Sequence, residues 1–232
     1  LKAYKLSLIT ETVTQGLNPD VKVKDSGIEW IGKIPEHWST SKIKYNFTII
    51  SGATPKSEKI EYWNGEINWV TPADFKTDDV YISSGKKSIT KAGYDSCGVT
   101  LLPINSIIFS KRAPIGNVVI SSKTLCINQG CLACISKKEI SIKYFYFAIS
   151  VFTDQFNMYG AGTTFKEIST KDFSNFILPL PTLKEQHKIV DYLDKKCSAI
   201  NSDIEKRQAL IEKLTEYKKS LIYEVVMGKK EL

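Results

Sequence analysis

From Thr182 to Met227 the chain contains neither proline nor glycine, an unbroken run of helix-compatible residues that few folds can absorb. Thr182, followed three residues later by Glu185, has the capping-box pattern of a helix start. Alternate steps of three and four residues pass through Leu183, Gln186, Val190, Leu193, Cys197, Ile200, Ile204, Arg207, Ile211, Leu214, Lys218, Leu221 and Val225, and ten of these thirteen are apolar. A seam with that period, held over about six heptads, predicts a coiled-coil-forming helix. At 1.5 Å per residue, about 45 residues make a rod of roughly 65 Å. A stripe so narrow on a rod so long calls for a partner helix. Leu193, Ile200, Ile204, Ile211, Leu214 and Leu221 are its helix-pairing positions, with Arg207 and Lys218 placed to set register.

The end of that helix, "LTEYKKSLIYEVV" at 214–226, repeats the start of the chain, "LKAYKLSLITETV" at 1–13. At an offset of 213, eight of thirteen positions are identical, including Tyr-Lys-x-Ser-Leu-Ile-x-Glu. Shared amphipathicity would match classes of residue but not identities, so the repeat is one of architecture. Residues 1–16 then correspond to the end of a preceding long helix, and the parent layout is globule, helix, globule, helix. Antiparallel pairing of two such helices would put a globule at each end.

Between the two helical segments the texture is mixed. Gly16 and Pro19 in "TQGLNPD" stop the first helix, and a polar linker, "VKVKDS", follows. Short strand-like runs such as "EINWV", "SIIFS" and "NVVIS" alternate with Gly, Pro and Asn turns. Residues 142–159 read as the one clear helix of this region, and "FILPLP" as a terminal strand held extended by Pro179 and Pro181. The fold class is α+β: a globular mixed α/β domain followed by a long coiled-coil-forming helix. The expected divisions are 1–22, the end of a preceding helix and a linker; 23–181, the globule; and 182–232, the long helix.

Composition narrows the function. Five cysteines is an odd number, against a secreted disulfide framework and for a reducing, cytoplasmic setting. No apolar run approaches a membrane span, so no membrane partner is expected. Cys131 and Cys134 form a C-x-x-C near Cys126, but the two histidines, His37 and His187, lie far off in sequence. "TLCINQGCLACIS" reads more simply as a β-hairpin with small core cysteines, and no metal site is expected. The net charge of +7 is spread along the chain, which permits nucleic acid without demanding it. No catalytic residues are expected. There is no Pro-Pro of an amino-methyltransferase motif, no P-loop and no nucleophile–base pair, and Asp74 in "PADFK" lacks an acid–x–lysine partner.

Six stretches, in order, resemble the specificity subunits of type I restriction–modification systems: "SGIEWIGKIPEHW" (26–38), "SGATPKSEKIEYWNGEINWVTPADF" (51–75), "LLPINSIIFSKRAPIGNVVI" (101–120), "INQGC" (127–131), "GTTFKEIS" (162–169) and "LPLPTLKEQHKIVDYLD" (178–194). That resemblance implies a target-recognition domain reading one half of a split double-stranded DNA site. It also implies a helix that docks modification subunits, and a restriction subunit reached through the complex. This chain is similar to the second half of such a subunit, so it would need a second half-subunit, either another copy or a separate half. No cofactor is expected in the chain itself, S-adenosylmethionine belonging to the modification subunit. The competing reading is a coiled-coil protein-interaction module, for instance a decoy half-subunit that does not recognise DNA itself.

Four loops carry the candidate DNA contacts. In "GATPK", Thr54 and Lys56 can bond phosphates or base edges, unless the segment is a plain turn. In "SKRAPIG", Lys111 suits a phosphate and Arg112 a guanine edge, against a solvated hairpin tip. Asn128 and Gln129 of "INQG" can each pair with adenine, though neighbours on a strand face opposite ways and a backbone cap is the competing role. Thr163, Thr164 and Lys166 lie in a loop suited to following phosphates or to packing beneath the long helix. The four tryptophans read as core rather than as stacking platforms.

Overall fold

The computed structural model describes residues 1–76, 79–112, 114–160 and 166–227. Its first helix, α1 (Lys2–Gln15), ends at Gly16, which takes φ of 80° and donates its amide to the Thr12 carbonyl at 3.1 Å. The "linker" that follows is structured: β1 (Val23–Asp25) pairs antiparallel with β2 (Lys33–Pro35). Next come β3 (Ser39–Lys42), a single turn α2 (Ile43–Asn46), β4 (Phe47–Ser51), β5 (Trp63–Val70), β6 (Tyr81–Ile82), β7 (Lys87–Ile89) and α3 (Lys91–Asp95). The centre supplies β8 (Ile107–Ser110), β9 (Val118–Ser121), β10 (Cys126–Ile127) and β11 (Cys131–Ser136). Helices α4 (Ile142–Ser150), α5 (Thr153–Tyr159) and α6 (Thr170–Asn175) precede β12 (Ile177–Leu180) and the long α7 (Leu183–Val226).

The main sheet has the order β4-β11-β8-β9-β6, antiparallel except for the β6–β9 pair. Its central strands are apolar on both faces, because both faces are covered. Phe47, Ile107, Phe109, Val118, Ile120, Leu132 and Cys134 enter the core beneath α4 and α6. The alternate residues Ile108, Val119, Cys131 and Ala133 enter a second core on the other side. That is the period-2 alternation of a strand applied to the three central strands, β11, β8 and β9, which are covered on both sides.

The structure departs from two sequence expectations. The cysteine-rich segment is not a hairpin: β10 joins β5 in a separate three-stranded sheet, whereas β11 lies between β4 and β8. Cys131 and Cys134 consequently point into different cores, as residues three apart on a strand must. The 142–159 helix is two helices, broken at Val151 and Phe152, where Phe152 turns its ring into the core.

The long helix is capped as its sequence prescribes. Thr182 Oγ1 accepts from the Glu185 amide at 3.4 Å, and Glu185 Oε2 accepts from the Thr182 amide at 3.2 Å. Glu185 Oε1 also accepts from Trp38 Nε1 at 3.0 Å and lies 2.7 Å from His37 Nε2, which ties the helix start to the globule. Partial burial works to raise the Glu185 pKa, but the hydrogen bonds from Thr182, Trp38 and His37 outweigh it and bring it down to about 2. Gln186, the polar residue early in the seam, is buried. Its Oε1 accepts from the Ser141 amide at 2.9 Å and its Nε2 donates to the Pro181 carbonyl at 3.0 Å, so a glutamine suits this place better than leucine. The buried Tyr144 hydroxyl lies 3.2 Å from the Val13 carbonyl and 3.1 Å from that of Pro179, joining α1, α4 and β12.

α1 runs antiparallel to the first half of α7. Lys5 Nζ donates to Asn201 Oδ1 at 2.8 Å, while Gly16 and Asn18 share a cleft with Lys188 and Ile189 near the start of α7. Between them Ile9 and Val13 pack into the same core as Ile189, Leu193 and Cys197. The seam is therefore covered from Gln186 to Ile200, and the globule with α1 covers more of it than expected. Ile204 is half-buried, and beyond it Leu210, Ile211, Leu214, Tyr217 and Ile222 are exposed. Among the described residues no helix is long and apolar enough to cross a membrane.

Candidate nucleic-acid interface

The antiparallel order β4-β11-β8 has a direct consequence. The end of β4, the start of β11 and the end of β8 must lie along one edge of the sheet, and the register confirms it: Ser51 faces Leu132, and Ser110 faces Cys131. The parallel β5–β10 pair brings Ile127 beside Val70 and delivers the 128–130 turn to the same edge. Segments 52–56, 110–116 and 128–130, far apart in sequence, thus meet. α7 starts at the other end: Gln186 bonds Ser141, which lies past the Ser136 end of β11.

The 52–56 loop is pinned rather than free. The Ala53 amide donates to the Ile127 carbonyl at 3.0 Å, and a Cβ on Gly52 would come within 2.1 Å of the Asn128 carbonyl oxygen, so only glycine fits. Trp69 Nε1 donates to the Ala53 carbonyl at 3.0 Å and Trp63 Nε1 to that of Lys56 at 3.3 Å. The Thr54 hydroxyl bonds Gln129 Oε1 directly, and Lys56 and Gln129 are exposed. Asn128 plays the backbone role: its Oδ1 accepts from the Gly130 amide at 3.0 Å.

The third loop holds the charges. Gly116, with φ of 102°, closes it, and its amide donates to the Ser110 carbonyl at 3.0 Å. The Lys111 amide donates to the Gly130 carbonyl at 2.9 Å and the Lys111 carbonyl accepts from the Ile168 amide at 3.0 Å, which bonds this loop to the 128–130 turn on one side and to residues 167–168 on the other. The Lys111 side chain is only 11 % exposed; its ammonium lies 2.9 Å from Glu167 Oε1. Arg112 is 45 % exposed and donates through Nε to Glu167 Oε2 at 2.7 Å. Partial burial works to raise the Glu167 pKa, but the hydrogen bonds from Lys111 and Arg112 outweigh it, and the carboxyl titrates below its ordinary value.

Lys166 is exposed, beside Gly160, while Thr163 and Thr164 lie outside the described residues. The structure therefore gathers Thr54, Lys56, Lys111, Arg112, Asn128 and Gln129 on one edge. It separates their roles: Lys111 is nearly covered and paired with Glu167, Asn128 is partly exposed and caps the Gly130 amide, and Lys56, Arg112 and Gln129 reach solvent. Sequence reasoning missed Glu167, whose partners are 55 and 56 positions away, and the two tryptophan N–H groups that hold the 52–56 loop. Asp74 is structural: its Oδ2 accepts from the Thr71 amide at 2.8 Å and its Oδ1 from the Lys86 amide at 3.0 Å. The edge is an array of amide, hydroxyl and guanidinium groups, suited to base edges and phosphates.

Against known proteins, the family described as type I restriction modification DNA specificity domain matches residues 35–214, most of the chain and every loop of this edge. The chain belongs to that family. It is 33% identical over 187 residues to the type I restriction enzyme MjaIX specificity subunit of Methanocaldococcus jannaschii, a match covering 79% of this chain and 43% of that protein. It is 30% identical over 182 residues to the EcoR124I/EcoR124II specificity subunit of Escherichia coli, covering 74% and 45%. The chain thus spans about half the length of the curated relatives it matches. The fold is shared with the HsdS subunit from Thermoanaerobacter tengcongensis (TM-score 0.61, 20% identity, 87% of this chain and 44% of that one). It is also shared with a chain from a structural study of complex assembly and conformational transition in the type I R-M system (TM-score 0.69, 18% identity, 96% and 53%).

Proposed function

We propose that the chain is a recognition unit of a type I restriction–modification complex, reading one half of a bipartite double-stranded DNA site. The observation that carries this is the meeting of the three loops on one sheet edge, with the rod leaving from the other end of the sheet. Such a layout separates reading from docking. Residues 23–181 supply the reading edge, and α7 docks the modification subunits and, through the complex, the restriction subunit. The chain itself contributes no catalysis. S-adenosylmethionine belongs to the modification subunit, and the setting is the cytoplasm.

A second unit of the same kind completes the rod. The internal repeat equates Ile9 with Ile222 and Val13 with Val226. The first member of each pair is buried against α7 and its globule, and the second is exposed. The end of α7 therefore presents the surface that α1 buries, and what suits it is the helix start of another half-subunit. The test is duplex binding by the chain with its modification subunits, scored against a random-sequence pool at several salt concentrations. Enrichment of one half-site supports the reading. Assembly with modification subunits but no sequence preference supports a decoy or interaction module instead.

A further inference from the structure

Lys111, Arg112 and Glu167 form a compact triad at the centre of the reading edge. Both oxygens of one carboxylate are used, Oε1 by Lys111 at 2.9 Å and Oε2 by Arg112 at 2.7 Å. The backbone reinforces the arrangement, because Arg112 and Glu167 form an isolated antiparallel bridge and Ile168 donates to Lys111. Lys111 is nearly covered and also lies 3.5 Å from Ser51 Oγ, at the end of β4. Its charge is directed to Glu167, which makes it a poor surface contact for phosphate. Arg112 is held through Nε. A guanidinium is planar, so holding Nε restricts how the plane can turn, and that bond does not use the two Nη groups.

We propose that Glu167 is a specificity-determining positioning residue: anchored by Lys111, it locks the Arg112 guanidinium so that its Nη groups meet a base edge as a two-donor fork. The base edge with two matching acceptors is guanine O6 and N7. The same carboxylate cancels one positive charge at the edge and so holds down attachment to arbitrary phosphates. Glu167 thus acts on discrimination in two ways, by orienting the base reader and by limiting sequence-independent attraction. The proposal rests on the DNA-reading function above.

The test uses the chain assembled with its modification subunits, and two duplexes: the one selected by the unaltered protein and a shuffled duplex of equal composition. Glu167→Gln keeps the shape and removes the charge. It should bind the shuffled duplex more tightly, with the slope of log K against log salt steeper by about 0.9 for one further phosphate engaged. Preference for the selected duplex should fall roughly tenfold. Arg112→Lys, which keeps the charge and loses the fork, should cost a similar factor alone and add little to Glu167→Gln. A carboxylate that merely blocks the site would on removal strengthen both duplexes equally, and a merely structural one would weaken both; either result overturns the proposal. Thermal unfolding of each variant identifies the structural case independently. An unaltered protein with no preference would remove the DNA reading and the proposal with it, whereas a preference that survives Glu167→Gln overturns the proposal alone.

Discussion

Ile9 and Ile222 hold the same place in a repeated thirteen-residue motif, yet Ile9 is 7 % exposed against α7 and Ile222 is 53 % exposed on the last turns of α7. One motif thus occurs in the molecule once with its isoleucine buried and once with it exposed. Ile9→Asp should replace a buried apolar side chain with a carboxylate and cost about 3 kcal/mol or more. Ile222→Asp should leave the unfolding midpoint of the globule unchanged and lower self-association or pairing with another half-subunit. Calorimetry and sedimentation of the two variants check this. Equal effects of both substitutions on the midpoint would show that the two copies are not equivalent surfaces.

Tyr144→Phe removes one buried hydroxyl and leaves the Val13 and Pro179 carbonyls without that donor. The expected cost is about 1–3 kcal/mol. For a chain of this size that is roughly 2–4 °C in Tm for each kcal/mol. The substitution should also loosen α1, detectable as faster amide exchange over residues 9–15 than over the main sheet.

Acid should act on the join between globule and rod. Glu185 titrates at about 2 in the folded chain against an ordinary 4.5, so its contribution is full above pH 4.5 and is lost as the pH falls toward about 2. Glu185→Gln should therefore melt below the unaltered protein at pH 7, and the gap should close as the pH falls through that window. A gap independent of pH would mean the carboxylate charge is not what stabilises the cap.

Gly52→Ala would force a methyl against the Asn128 carbonyl, a backbone atom that cannot swing aside as a side chain can. The expected cost is about 1–3 kcal/mol of stability. Displacement of Thr54 from Gln129 should accompany it, read as altered amide shifts confined to residues 52–56 and 127–131.

What the sequence made legible follows from the range of the interactions. The α7 cap, the extended "FILPLP" strand and the Gly16 stop are local, and each stands where its residues demand. The cysteine segment is ambiguous in sequence because an Asn-Gln-Gly turn between apolar runs serves a hairpin and a step between sheets equally well. Only pairing with β5, β4 and β8 decides between them, and that is non-local. Lys111 has the local pattern of a solvated hairpin tip, and its burial depends on Glu167, 56 positions away. The helical seam was legible as a seam, but which half α1 and the globule would cover depends on the packing of α1, α4 and β12 around Tyr144.

The central claim is that the 52–56, 110–116 and 128–130 loops read a half-site while α7 docks partners, and methylation mapping tests it most directly. Cells carrying the chain and its modification subunits would be compared with cells carrying the triple variant Thr54→Ala, Arg112→Ala and Gln129→Ala. The account predicts that the modification subunits still assemble on the variant, and that each half of the methylated motif read by this chain (both halves where two copies pair, one half where a separate half-subunit supplies the other) becomes degenerate or is lost while the spacer stays unchanged. A variant that assembles and methylates the original motif at full occupancy would contradict it.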